Sequence, residues 1–240
     1  MGTVGKRPSL SDDQRVLLAE ITRGGLAAFE NAERLYFEAS ILRAAEAYSR
    51  ALFLHQISME ELAKLEALGA AASGVLMGLE TDLASVTKNF THHKAKNHLN
   101  AYMLPRSKEE KAATKGRDLK AVVKAFKNIQ AAFHKESNDA KNAALYVDFD
   151  GKMFITPTER VTAEMAANMA KRNEEFLRLM APKRDMLMKW NQDPGAVLPI
   201  MNTLTELMIR LRQEYKDEPF KAGDILMDEL LKSVKATPVR

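Results

Sequence analysis

The run from Asn31 to Leu68, NAERLYFEASILRAAEAYSRALFLHQISMEELAKLEAL, commits this chain to long helices. Apolar residues recur there at i, i+3 and i+4, the period of one helix face, and neither proline nor glycine interrupts them. From Leu26, Phe29, Leu35, Tyr36, Ala39 and Leu42 define a first helix. A turn at Ala45–Ala47 joins it to a second, from about Tyr48 to Ala70. The charged stretch Glu60-Glu61-Leu62-Ala63-Lys64 lies inside the apolar second half. Glu60 and Lys64 stand four apart, in the order that favours a helical ion pair. A carboxylate turned inward between Ile57 and Leu65 needs a cation or a donor, so Glu60, Glu61 and Lys64 read as structural polar residues.

The remaining chain extends the helical pattern. Residues 1–10 read as a flexible lead, and Ser11-Asp12-Asp13-Gln14 has the form of a capping box. It opens a short helix to Thr22, broken by Gly24-Gly25. A third helix is expected from Thr81 to Tyr102, a solvated loop after Pro105, and a fourth helix from Asp118 to Asn142. Asp150-Gly151 between two β-prone runs predicts a hairpin with positive φ at both turn positions. Thr158 to Trp190 follows, broken or kinked at Pro182, then helices over Val197–Tyr215 and Ala222–Val234. The fold class is all-α: a bundle with one small β-hairpin and additional C-terminal helices. The expected divisions are 1–24, 25–145, 146–156 and 157–240.

The chain has no cysteine, which removes thiolate metal sites and cysteine nucleophiles and fits a reducing compartment. No stretch is apolar for long enough to span a membrane, and the expected location is cytoplasmic. The net charge of +4 is modest, but between Lys88 and Lys127 basic residues outnumber acidic ones eleven to three. Such a run is either a solvated helix face or a phosphate-facing surface.

Chemistry concentrates in Phe90-Thr91-His92-His93-Lys94-Ala95-Lys96-Asn97-His98, which holds three of the five histidines. On a continuous helix His92 and Lys96 share a face, and His93 points about 100° away. Imidazole exchanges protons near neutral pH, and lysine stabilises developing phosphate charge. That pairing suits metal-independent RNA cleavage, in which one group deprotonates the 2′-hydroxyl and another protonates the leaving oxygen. His92, His93 and Lys96 are the catalytic candidates, and Lys94 is a phosphate contact. No metal is expected, because His93 and His98 are five apart with no carboxylate close in sequence. Nor is a cofactor: phosphate-binding loops, dinucleotide fingerprints and HExxH or GxSxG motifs are absent.

The helical hairpin, Glu60-Glu61-Leu62-Ala63-Lys64, the His92-His93-Lys94-Ala95-Lys96 segment and Leu145-Tyr146-Val147-Asp148 with its Asp-Gly turn occur in an order that resembles the AbiV family. AbiV proteins are abortive-infection proteins of the HEPN class, and the resemblance covers about residues 25–160. HEPN ribonucleases carry an arginine followed four to six residues later by histidine. Arg50 and His55 fit that spacing, but they precede the Glu-Glu signature and read as coincidence. Lys141-Asn142-Ala143-Ala144-Leu145-Tyr146 is similar to the HEPN pattern Arg-Asn-x-x-x-His, with lysine and tyrosine replacing its ends. Tyrosine ionises near pH ~10 and is a poor base at neutrality, and lysine lacks the planar guanidinium fork. Lys141, Asn142 and Tyr146 are therefore assigned to RNA or phosphate contacts, and cleavage would draw on His92, His93 or His134.

The resemblance implies a HEPN-like bundle acting as an abortive-infection antiphage effector that blocks translation by acting on RNA. Whether it is an enzyme stays open: a metal-independent HEPN-type endoribonuclease with a degenerate motif, or an RNA-binding protein. The alternative is a non-catalytic helical dimer that binds a phage protein or a translation component. A homodimer is expected, with RNA and a phage-encoded activator protein as the partners this reading allows and no membrane.

Overall fold

The computed structural model describes residues 9–236, so the first eight residues of the expected lead, and the last four of the chain, lie outside the described residues. Helix α1 (Asp12–Ala44) starts at the capping box: the Ser11 hydroxyl accepts the Gln14 N–H at 3.2 Å, and the Gln14 side chain accepts the Ser11 N–H at 3.0 Å. The expected break at Gly24-Gly25 does not occur, and α1 is continuous through it. The reason is tertiary. A Cβ on Gly25 would stand 2.6 Å from Leu187 Cδ2 and 3.1 Å from Leu65 Cδ1, so glycine lets two other helices approach. That packing outweighs the poor helix propensity of glycine, about 1 kcal/mol per residue.

A tight turn with Glu46 at φ 60° reverses the chain into α2 (Tyr48–Leu76), which runs straight through Gly69 and Gly74. Helix α2 is the centre of the molecule. Leu52, Met59, Leu62, Leu65, Leu68 and Val75 are all buried, and α2 touches the first, fourth, sixth and eighth helices. A helix apolar on nearly every side must be enclosed on every side.

The continuous third helix expected over 81–102 is instead four pieces. They are α3 (Leu83–Thr87), a 3-10 turn at Lys88–Thr91, α4 (His93–Asn100) and a 3-10 turn at Ala101–Met103. His92 is the extended hinge between them, at φ −96° and ψ 108°. The loop expected after Pro105 contains α5 (Lys108–Lys115), started by the Ser107 hydroxyl accepting the Glu110 N–H at 3.1 Å. Helix α6 (Leu119–Leu145) is capped by Asp118, which accepts the Ala121 N–H at 3.0 Å.

The hairpin pairs β1 (Asp148–Phe149) with β2 (Phe154–Ile155), Phe149 opposite Phe154. Its turn is longer than a two-residue connection, and of the Asp150-Gly151 pair Gly151 alone takes positive φ, +96°. Asp150 holds the turn with its carboxylate, accepting the Lys152 and Met153 N–H groups at 2.8 and 2.9 Å. After α7 (Pro157–Arg160) the chain breaks at Val161-Thr162 and enters α8 (Ala163–Gln192). Pro182 lies inside α8 without interrupting it. Asp193 caps α9 (Pro194–Glu214), and α10 (Pro219–Ala236) follows. Phe176, Met180 and Leu187 of α8 share one core with Phe29 of α1 and Leu62 of α2. The described residues form an all-α bundle with a two-strand hairpin. Among the described residues no helix is long and apolar enough to cross a membrane.

Candidate functional site

Three helices bring polar residues to one interior seam. Helix α2 contributes Gln56 and Glu60, one turn apart. Helix α4 contributes His93, Lys96, Asn97 and Asn100, and α6 contributes His134, Ser137 and Lys141. Each set keeps the three-to-four-residue spacing of a helix face. Glu60 sits at the centre with its side chain 1% exposed. Its Oε2 accepts from Lys96 Nζ at 2.7 Å and from His93 Nδ1 at 2.6 Å, and its Oε1 faces Lys141 Nζ at 3.6 Å. The seam is closed by Asn100, whose amide donates to the Met59 carbonyl at 2.8 Å, and by the Asn97 amide 3.3 Å from His134 Nδ1.

Burial alone would push the Glu60 carboxyl up. The hydrogen bonds from Lys96 and His93, with the charges of Lys96 and Lys141, more than offset it and hold Glu60 below the usual carboxylate range. Glu60 is therefore ionised at neutral pH, and the proton shared with His93 resides on Nδ1. That fixes the tautomer and leaves His93 Nε2 as the free ring nitrogen, on a side chain 48% exposed. A buried carboxylate holding a half-exposed imidazole is an orienting device for acid–base chemistry.

The other candidates separate. His92 lies outside α4, so it does not share a helical face with Lys96; His93 and Lys96 share one instead. His92 and Lys94 are exposed at the start of α4, where His92 supplies no side-chain cap to the first-turn N–H groups. Lys141 is turned inward, its side chain 9% exposed and directed at Glu60 rather than at solvent. Asn142 and Tyr146 are exposed. The expected Glu60–Lys64 pair is absent: Lys64 bonds Glu61 at 2.5 Å and stands 5.9 Å from the Phe90 ring, because Glu60 points into the seam. Arg50 is on the surface, whereas His55 is fully buried with the Asn173 amide 3.2 Å from its Nδ1. Burial, then the charge of Arg43, lowers the His55 imidazole to about 4, so it is neutral. The Ser58 hydroxyl completes this second set, 2.7 Å from the Ala32 carbonyl and 3.1 Å from Asn173 Oδ1.

Asn97, Asn100 and Ser137 carry a sequence signal that lies in their spacing rather than in a motif. Polar residues at helical spacing on a helix that must pack, such as His134, Ser137 and Lys141, mark a polar seam. No group of three histidine, aspartate or glutamate side chains among the described residues is arranged to hold a metal ion.

The chain belongs to the AbiV family, of the HEPN class: the family model described as AbiV (HEPN_AbiV) matches residues 20–178, from α1 into α8. It is also similar to "Uncharacterized protein y4gJ" of Sinorhizobium fredii (strain NBRC 101917 / NGR234), 35% identical over 128 residues. That alignment covers 53% of this chain and 66% of the relative, just under two thirds of the relative's length. No solved structure matches the chain. Family membership associates the protein with abortive infection of the HEPN type.

Proposed function

We propose that this protein is an abortive-infection effector that acts on RNA and thereby stops translation, with the Glu60–His93 pair as its reactive centre. The observation that carries the reading is the 2.6 Å contact between an ionised, buried Glu60 and a half-exposed His93. His93 Nε2 accepts the proton of a ribose 2′-hydroxyl. The 2′-oxygen then attacks the adjacent phosphorus, the bond to the 5′-oxygen breaks, and a 2′,3′-cyclic phosphate forms. His92 is the neighbouring exposed group that returns a proton to the departing 5′-oxygen. The open first turn of α4 and the Lys94 ammonium suit the phosphate, since free N–H groups at a helix start attract anions. Lys96 and Lys141 act behind the site by keeping Glu60 ionised, and Asn142 and Tyr146 offer exposed RNA contacts.

The test is incubation of the purified protein with total RNA in EDTA, with and without lysate from phage-infected cells. The expected products end in 2′,3′-cyclic phosphate, and His93→Ala lowers the rate about 100-fold or more. Intact RNA under every condition would overturn the nuclease reading. Cleavage by His93→Ala at the wild-type rate would overturn the residue assignment.

A second reading has its own support. Tyr146, Val147, Phe149, Met153 and Phe154 form an exposed apolar cluster around the hairpin. Such a patch suits a protein contact more than a solvated loop. It favours a helical dimer that captures a phage-encoded protein or a translation component without cutting RNA.

A further inference from the structure

Beside the Glu60–His93 pair, α2, α3, α4 and α6 enclose a cavity of about 460 Å³ that no step above uses. Ala63 and Ala67 of α2 line it with short side chains. Two flat groups border it. Phe90 lies on the 3-10 turn before α4, and Tyr102 lies on the turn after it, 66% exposed and packed against Phe126 at 4.6 Å between ring centroids. The rest of the wall is mostly apolar, with Ser85, Lys96, His98 and Gln130 as its polar groups. Gln130 donates its amide N–H to the His98 carbonyl at 3.2 Å, which leaves its own carbonyl oxygen as an acceptor. The Nε2 atom of His98 is buried and makes no hydrogen bond among the described residues. Burial, with the charges of Lys94 and His134, holds His98 below the ordinary imidazole value, so at neutral pH it offers one donor and one acceptor.

Flat apolar walls with a donor–acceptor edge at one side are the complement of a planar heteroaromatic ring. The volume exceeds what a lone base needs and accommodates a nucleoside. Lys96 connects the two places: it lines the cavity, and its ammonium reaches Glu60. Lys96 and His93 are one turn apart on α4, about 5 Å along its axis, roughly the span from a nucleobase to its own 2′-hydroxyl.

We infer that this cavity is a base-recognition pocket that takes one unpaired nucleobase of an RNA strand, the base belonging to the ribose whose 2′-hydroxyl faces His93, an assignment that rests on the RNA-directed reading above. A base inside it is out of any duplex. The substrate is therefore single-stranded RNA or a loop, read at one position by Gln130 and His98.

The test uses the full-length protein and the four 5′-nucleoside monophosphates, none of which it can cleave, with ribose 5-phosphate as the control. Saturation-transfer NMR and calorimetry should show binding of at least one nucleotide through its base protons. Ala67→Trp, which fills the cavity from a partly exposed position, should weaken that binding at least about tenfold, the worth of one stacked base. Gln130→Leu should alter which base is preferred, and it serves where a far-UV melt shows the tryptophan variant unfolded. Absence of any base-proton transfer, or ribose 5-phosphate binding as well as the nucleotides, would overturn the pocket. So would a folded Ala67→Trp that binds like wild type. Nucleotide binding without RNA cleavage would uphold the pocket and sink the nuclease reading. Cleavage with no base preference and no response to Ala67→Trp would do the reverse.

Discussion

The Glu60 carboxylate of α2 and the Lys96 ammonium of α4 meet at 2.7 Å with their side chains 1% and 10% exposed. Each is the other's replacement for water. Removing Glu60 leaves the buried Lys96 ammonium without its carboxylate, and that loss governs the first prediction. Glu60→Ala should lower the free energy of unfolding by about 3–5 kcal/mol, measured by urea denaturation. Replacing Glu60, Lys96 and Lys141 together by Leu, Met and Met should recover much of the loss while abolishing the proposed RNA cleavage. A triple variant less stable than Glu60→Ala would show that the charges are net stabilising in place.

Acid should destabilise the fold through two groups. An unfolded His55 takes up a proton near pH 6.5, but the folded one does so only at about 4. Between those values the unfolded chain binds more protons, so stability falls as pH drops from about 6.5 to about 4, by at most ~1.4 kcal/mol per pH unit. Glu60 acts lower down. Its folded value is depressed, so its contribution is full above 4.5 and is lost as pH falls through the folded value. Denaturation midpoints of His55→Gln should be flatter than wild type between pH 4 and 6.5. An unchanged slope there would exclude His55 as the titrating group.

Gly24 and Gly25 should respond oppositely to alanine. At Gly25 the new methyl meets Leu187 at 2.6 Å and Leu65 at 3.1 Å, and the overpacking should cost about 1–3 kcal/mol. Pairing Gly25→Ala with Leu187→Ala should cost less than the sum of the two single changes. At Gly24 the nearest atom is Leu68 Cδ1 at 3.4 Å, an ordinary contact, so Gly24→Ala should be neutral or should stabilise by up to ~1 kcal/mol. Thermal melts of the four variants settle the order.

Phe149 and Phe154 pack on each other at 5.2 Å, with Phe154 72% exposed. Changing both to serine should leave the unfolding free energy within about 1 kcal/mol, as for other surface substitutions. If the hairpin mediates self-association, sedimentation velocity should show the double variant shifting toward monomer. An unaltered sedimentation profile at matched concentration would exclude the hairpin from any self-association.

The long helices were legible because their apolar period is strong, and the departures have particular causes. Gly24-Gly25 looked like a break because propensity is local, whereas the need for glycine at 25 comes from Leu187 far along the chain. Residues 81–102 looked like one helix because nothing in the period marks His92 as extended. The helix at Lys108–Lys115 was hidden because alanines are its only apolar residues, although Ser107 and Glu110 stand at capping distance in the sequence. At the site, the need of an inward Glu60 for a cation could be argued from its neighbours. Its orientation could not, since α2 is apolar on nearly all sides and periodicity selects no face. Lys141 was read as a phosphate contact because motif spacing says nothing about which way a side chain turns. Asn100 and Ser137 belong to no motif, and although their polar spacing is visible in the sequence, their convergence with Asn97 emerges only when three helices are placed together.

The order in which Glu60 meets its cations has a consequence during synthesis. Helix α2 leaves the ribosome well before α4, and α6 follows later still, so a nascent chain cannot bury Glu60 among its full set of partners until both have emerged. His93 cannot be oriented before α4 docks. A message truncated ahead of α6 therefore yields a chain in which Glu60 and His93 lack Lys141 behind them.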